Sequence, residues 1–344
     1  MNEHPLAPAH PLTAPDPHAL PGTQPAHPHA GGNPHAAPQQ SIESLLVKLR
    51  EKYAETGQNL ESYLEGLLYQ DYLNYWDYIH TDTLLSLQNA RTHFPDEQIF
   101  IIYHQISELN FKMIISELMQ ISAMPEPDND TMVKRVTRIN RYFEALVNSF
   151  DFMSDGMDPN QFLRFRMALL PASGFQSAQF RMIEILCTDF ANLVQPARRG
   201  SLAPDASVEE LYEMAYWKQG ATELKTGTKT LTLRRFEEKY GDQLKTMIAD
   251  HAATNLRRQY LKAVDDGEMP ENLRNGLRKM DTLINLDWRL VHFKSAMKYL
   301  DRNPVEIAAT GGTNWQKYLP PGFQRNFFFP ELWTDEERNT WGDA

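Results

Sequence analysis

Three features of this 344-residue sequence predict an all-α fold. Apolar residues recur at three- and four-residue spacing through most of the chain, no stretch sustains the alternation of a strand, and no repeat of fixed period is present. Together they predict a single helical domain of long packed helices over 41–344, behind a tail at 1–40. That tail holds ten prolines, six histidines and no lysine or arginine. It cannot bury enough apolar surface to offset its ordering entropy, so it is expected to be disordered, with no fixed metal geometry among its histidines.

The elements follow in order. Ser41 is the expected N-cap of the first helix, with Glu43 in its first turn and Ile42, Leu45, Leu46 and Leu49 at helical spacing. Residues 60–78 are dense in aromatics, including Tyr69, Tyr72, Tyr75, Trp76 and Tyr78, which suits an interface, a pocket or half-buried packing. Thr81 to Gln88 reads as a helix. Pro95, Asp96 and Glu97 open the next one. In it Ile99, Ile102, Ile106, Leu109 and Met113 form the expected core stripe, while Phe100, His104 and Glu108 share another face. Thr131 to Phe150 is amphipathic, with Val133, Val136, Ile139, Phe143, Leu146 and Phe150 on one side.

Phe162 and Arg166 lie on a helical pattern that breaks at Pro171. The small-residue turn Ala172-Ser173-Gly174 then lets backbone approach a ligand closely, and an arginine just before it can offer a planar fork to a carboxylate. Phe175 to Leu193 reads as one long helix. Residues 208–265 carry charged helical patterns interrupted around Gly227 by TGTKTLTL, the best candidate for an irregular or extended piece. The last long helix is expected from about Glu271 to Leu300, with Met280, Leu283, Ile284, Trp288, Val291 and His292.

A net charge of −11 argues against a general nucleic-acid or anionic-membrane binder. A single cysteine, Cys187, excludes an internal disulfide and fits a reducing cytoplasm. No run reaches the roughly 18 apolar residues of a membrane span, and no secretory signal pattern opens the chain. A cytoplasmic location is therefore expected.

No phosphate-binding loop, dinucleotide fingerprint, HExxH or nucleophile elbow is present. Outside the tail the histidines are His80, His93, His104, His251 and His292. His104 and His292 fall within strongly apolar helices. Such a histidine is commonly a packed residue bonded to a neighbour, and it can also ligate an iron. Arg166 alone more often belongs to a structural ion pair than to a substrate clamp, and Thr310-Gly311-Gly312 alone reads as a loop.

The order of these groups adds a further constraint. PASGFQSAQFR at 171–181, preceded by FRxxL, resembles the signature segment of the tryptophan 2,3-dioxygenase family. In the same order, YWDYIHTDTLLSLQ (75–88), FIIYHQISEL (100–109), WRLVH (288–292), TGG (310–312) and FPELW (329–333) resemble further family segments. The resemblance implies helical subunits with a central haem pocket, one haem b per subunit, assembled as homotetramers. It implies that His292 is the axial iron ligand. His104 would face the indole N–H, with Phe100 beside it. Arg166 would hold the substrate carboxylate, Phe162 would line the pocket, and Thr310 would contact the ammonium and carboxylate groups. Tyr75, Tyr78 and Ile79 would close a neighbouring subunit's pocket.

The implied reaction opens the indole ring of L-tryptophan with O₂ to give N-formylkynurenine, the entry to tryptophan catabolism by the kynurenine pathway. The alternative is a haem-dependent monooxygenase or hydroxylase of a modified tryptophan or other aromatic amino acid. Three departures bear on that choice: Asn110 replaces an aromatic residue, TGGTNW with Trp315 replaces TGGSSG, and the connection from His292 to Thr310 is longer and contains Pro304.

Overall fold

The computed structural model describes residues 41–169, 172, 174–203, 205–222, 228–265, 269–300 and 320–342. The 1–40 tail and Thr310 with its Gly-Gly loop lie outside the described residues. Among the described residues every regular element is helical, and the only extended pairings are two isolated bridges, Val194 with Ala215 and Thr222 with Lys229. The second bridge is where the threonine-rich run suggested an extended piece. The all-α expectation therefore holds.

The chain divides after Ile79 into two compact units. In the first, α1 (Ile42–Glu55) is capped by Ser41, whose hydroxyl accepts from the Ser44 N–H at 3.2 Å. Helix α2 (Leu60–Leu68) is capped in the same way by Asn59. Arg50 and Glu61 join the two helices at 2.9 Å, an exposed pair that contributes little, while Tyr53 and Tyr63 meet edge to face at 5.0 Å. The short helix α3 (Tyr75–Tyr78) follows. Tyr69, Tyr72, Tyr75 and Tyr78 are exposed, so half-buried packing does not explain their density.

The second unit starts with α4 (Thr81–Leu85), three residues shorter than the sequence suggested, and then the 27-residue α5 (Asp96–Ser122). Helix α5 packs on α6 (Asn129–Ser149) and on α9 (Ala178–Cys187). Between them lie α7 (Asp151–Ser154) and α8 (Pro159–Phe165). Helices α10 (Pro196–Arg199), α11 (Val208–Glu213), α12 (Tyr216–Gly220), α13 (Leu231–Asp250) and α14 (Leu256–Asp265) follow. Helix α15 (Glu271–Thr282) runs through a π-turn, Leu283–Asp287, into α16 (Trp288–Leu300). Helix α15 lies so close to α6 that a Cβ on Gly276 would sit 3.1 Å from Val136, and the Gly276 carbonyl accepts from Asn140 at 2.9 Å.

Two readings are corrected. The stripe Ile102, Ile106, Leu109 and Met113 is 39–50% exposed, and α5 instead buries Tyr103, Ser107, Phe111, Ile114, Leu118 and Ile121. Helix α5 is apolar on two faces, and periodicity alone does not say which one meets the core. The expected 175–193 helix is three pieces. Gly174–Gln176 is a 3₁₀ turn, Ser177 caps α9 by accepting from the Phe180 N–H at 3.2 Å, and α9 stops at an extended Thr188. The Thr188 hydroxyl donates to the Phe328 carbonyl at 2.6 Å, a tertiary bond that holds this residue out of the helix.

The core centres on Phe111. Its ring meets Phe143 at 6.2 Å, Phe180 at 5.6 Å and Trp288 at 6.0 Å, tying α5, α6, α9 and α16 together. Truncating such a ring costs about 3–5 kcal/mol.

Candidate active site

The site is built where α5, α8 and α16 face one another. The start of α5 is stapled to α8. The Asp96 carboxylate accepts from the Asp158 N–H at 2.5 Å, and the Asp96 N–H donates to the Gln161 side chain at 3.2 Å. Asp158 in turn caps α8 by accepting from the Asn160 and Gln161 N–H groups at 2.7 and 3.0 Å, with Pro159 in the first turn. These bonds fix Phe162 and Arg166 relative to Phe100 and His104.

The rings confirm the approach. Phe100 lies 4.1 Å from His104, 6.4 Å from Phe162 and 5.9 Å from Phe165, and Phe162 reaches Tyr299 of α16 at 4.9 Å. Arg166 follows one turn after Phe162, at the start of a 3₁₀ turn, and is buried. Burial lowers its pKa, but an arginine stays cationic, so this turn carries a buried positive charge.

His104 and His292 share one bonding pattern. The Nδ1 of His104 bonds the Phe100 carbonyl at 2.7 Å, and the Nδ1 of His292 bonds the Trp288 carbonyl at 2.7 Å. Because a carbonyl only accepts, each Nδ1 must carry the proton, which leaves each Nε2 with a free lone pair. Desolvation pushes both imidazoles below their usual value, and His292 falls to about 4, with repulsion from His104 when that ring is protonated, and from the Arg289 guanidinium, adding to the effect. Both are therefore neutral near pH 7. His104 is exposed to solvent although protein packs closely around it. The surrounding protein disfavours its protonation, and its exposed part can still meet a ligand.

His292 is sandwiched by Trp288 at 4.4 Å and Phe150 at 4.4 Å. Phe150 meets Tyr103 at 5.7 Å, and Tyr103 meets His104 at 6.3 Å, so an aromatic path joins the two histidines. The third residue of the predicted α5 face, Glu108, is turned to α9, where its carboxylate accepts from Gln179 at 2.8 Å.

The structure thus brings together Phe100, His104, Phe162, Arg166 and His292. Tyr75, Tyr78 and Ile79 belong to the N-terminal unit, where they are exposed, and Thr310 lies outside the described residues. Sequence reasoning missed Phe165, Tyr103 and Tyr299 as wall residues. Their only signal was membership of aromatic-rich helices.

A haem fits this donor set. Among the described residues no group of three or more His, Cys, Asp or Glu side chains gathers to hold a bare metal ion. A single neutral imidazole with its Nε2 available, backed by a backbone bond on Nδ1, is what an iron already held by a porphyrin requires.

Fold and side chains define a helical protein in which a neutral, ligand-type histidine is joined through aromatic rings to a second neutral histidine, with a buried arginine on the adjoining turn. A model of the tryptophan 2,3-dioxygenase family matches residues 53–194. A tryptophan 2,3-dioxygenase of Ruegeria sp. (strain TM1040) is 30% identical, covering 77% of this chain and 92% of that protein. The one from Herpetosiphon aurantiacus is 30% identical over 76% of this chain and 96% of its own length. The one from Sorangium cellulosum reaches 39% identity over 38% of this chain and 34% of its own. The chain belongs to the tryptophan 2,3-dioxygenase family.

Proposed function

We propose that residues 41–344 form a haem-dependent dioxygenase that opens the indole ring of L-tryptophan with O₂, giving N-formylkynurenine. The observation that carries this reading is the pair of neutral histidines, His104 and His292, joined by an aromatic path in a chain of this family. When bound, haem b supplies the iron at which O₂ is activated. His292 would ligate that iron through Nε2.

The protein's own share is binding and orientation. Arg166 meets the substrate carboxylate with a charge-assisted fork, which offsets the cost of removing that carboxylate from water. Phe100 and Phe162 enclose the ring and exclude water. The Nε2 of His104 accepts the indole N–H, an interaction that a phenyl ring cannot make, so substrates lacking the donor leave this group unpaired. Thr310 is assigned to the ammonium and carboxylate end.

Assembly follows the same reading. The exposed α5 stripe and the exposed Tyr75, Tyr78 and Ile79 suit burial against other subunits of a homotetramer, the tyrosines closing a neighbour's pocket. No helix among the described residues is long and apolar enough to cross a membrane, and the single buried cysteine suits the cytoplasm. The test is direct: load the protein with haem, reduce it, add L-tryptophan and O₂, and identify the product. N-formylkynurenine is expected; unconsumed tryptophan overturns the proposal.

A further inference from the structure

Behind His292 runs a line of buried polar side chains that the proposed reaction does not use. Asp281 on α15, Asn285 in the π-turn and Arg289 on α16 are all buried. The Asn285 amide donates to Asp281 at 2.8 Å, and Arg289 donates to Asn285 at 3.0 Å. At its lower end Asp281 accepts the Phe328 N–H at 2.8 Å, the Phe329 N–H at 3.2 Å and the Trp333 indole at 2.9 Å, which binds the C-terminal segment. At its upper end Arg289 donates to the Tyr216 hydroxyl at 3.1 Å, lies 3.5 Å from Glu184 of α9, and bonds Gln324. Tyr216 donates to Glu184 at 2.5 Å, and Arg181 closes the cluster by pairing with Glu184 at 2.8 Å.

The geometry ties this ladder to the π-turn. At 3.6 residues per turn, eight residues of unbroken α-helix rotate a face by about 80°. Each four-residue step turns only about 40°, so the pairs 281/285 and 285/289 stay within reach while the two ends of the row drift apart. The wider π-turn at Leu283–Asp287 turns less per residue and reduces that drift, and the two bonds from Asp281 through Asn285 to Arg289 span it from end to end. The same turn sets the rotation at which α16 presents Trp288 and His292. A π-turn left without such bonds relaxes toward ordinary α-helix, because a π-segment is rare in isolation and is kept by its surroundings.

We propose that Asp281, Asn285 and Arg289 are positioning residues that lock the π-turn and so aim His292. This rests on the reading of His292 as the haem ligand. The ladder's buried ionic groups favour such a role, since an apolar replacement of similar size would serve stability alone as well or better.

The experiment uses the haem-loaded protein and two readouts: the ferrous iron–histidine stretching band and the rate at which haem passes to excess apomyoglobin. Asn285→Leu cuts the ladder at its middle and is expected to shift the band and speed haem loss by about tenfold, in the range found for outer-shell partners of a ligand. Arg278→Gln is the control. Arg278 also ties the C-terminal segment to α15, donating to the Leu332 carbonyl at 2.7 Å, pairing with Glu337 and lying 4.0 Å over the Trp333 ring, but it bonds none of Asp281, Asn285 and Arg289. It should lower the melting temperature and leave both readouts unmoved. Should Asn285→Leu fail to fold, Arg289→Lys keeps the charge, removes the fork and is expected to shift the same band. A variant band and rate equal to the unaltered protein's, or equal changes in the Arg278→Gln control, overturn the ladder. An unaltered protein without an iron–histidine band overturns the His292 reading itself.

Discussion

His104 and His292 make the same bond and are surrounded differently. Each donates from Nδ1 to the carbonyl four residues earlier, at 2.7 Å. His104 is backed by rings alone, Phe100 on one side and Tyr103 on another, and is exposed to solvent. His292 is clamped between Trp288 and Phe150, with the Arg289–Glu184–Arg181 cluster one turn away. An identical hydrogen bond thus yields two tools. A rigidly backed imidazole suits a fixed axial ligand, and an open one suits a substrate that enters and leaves.

The largest effect expected from breaking this contrast is at the clamped histidine. His292→Ala should abolish axial ligation and most haem retention; an unchanged Soret spectrum would sink the assignment. Next comes the charge proposed to orient the substrate. Arg166→Ala should raise KM for L-tryptophan about a hundredfold, the loss of roughly 3 kcal/mol of charge-assisted bonding. Unchanged KM and kcat would refute the clamp. At the open histidine the effect is smaller. His104→Ala should lower kcat/KM by about tenfold to a hundredfold, the cost of one unpaired neutral donor, while haem binding stays intact. Loss of haem from that variant would mean the two histidines are not divided as argued.

The mildest probe is pH. His292 titrates near 4 in the folded protein against an ordinary value of 6.5, so between these values the unfolded chain binds more protons. The stability this supplies is complete above about pH 6.5 and is lost as pH falls toward 4. Apoprotein melts should show the decline, and His292→Gln should flatten it; a decline of equal slope in that variant would assign it to other groups.

The sequence carried much of this site and little of its support. FIIYHQ and WRLVH were readable because the proposed acceptor and ligand sit in local motifs, and Arg166 gained its proposed role only from its place in order with His104, His292 and Thr310. The buried face of α5 was not readable, since Ile102–Met113 and Tyr103–Ile114 are both apolar at helical spacing. The break at Thr188 depends on the Phe328 carbonyl, 140 positions away. The π-turn was not readable either, and Asp281 just before it accepts from the distant backbone of Phe328 and Phe329. Local pattern fixes which side chains a helix offers, and distant partners decide how the helix is turned.

The central claim is that the two histidines serve one ring-opening reaction. Supplying the reduced, haem-loaded protein with L-tryptophan and isotopically labelled O₂ tests it most directly. The account predicts N-formylkynurenine carrying label in both new oxygen positions. A product carrying one labelled oxygen on an intact indole would contradict it.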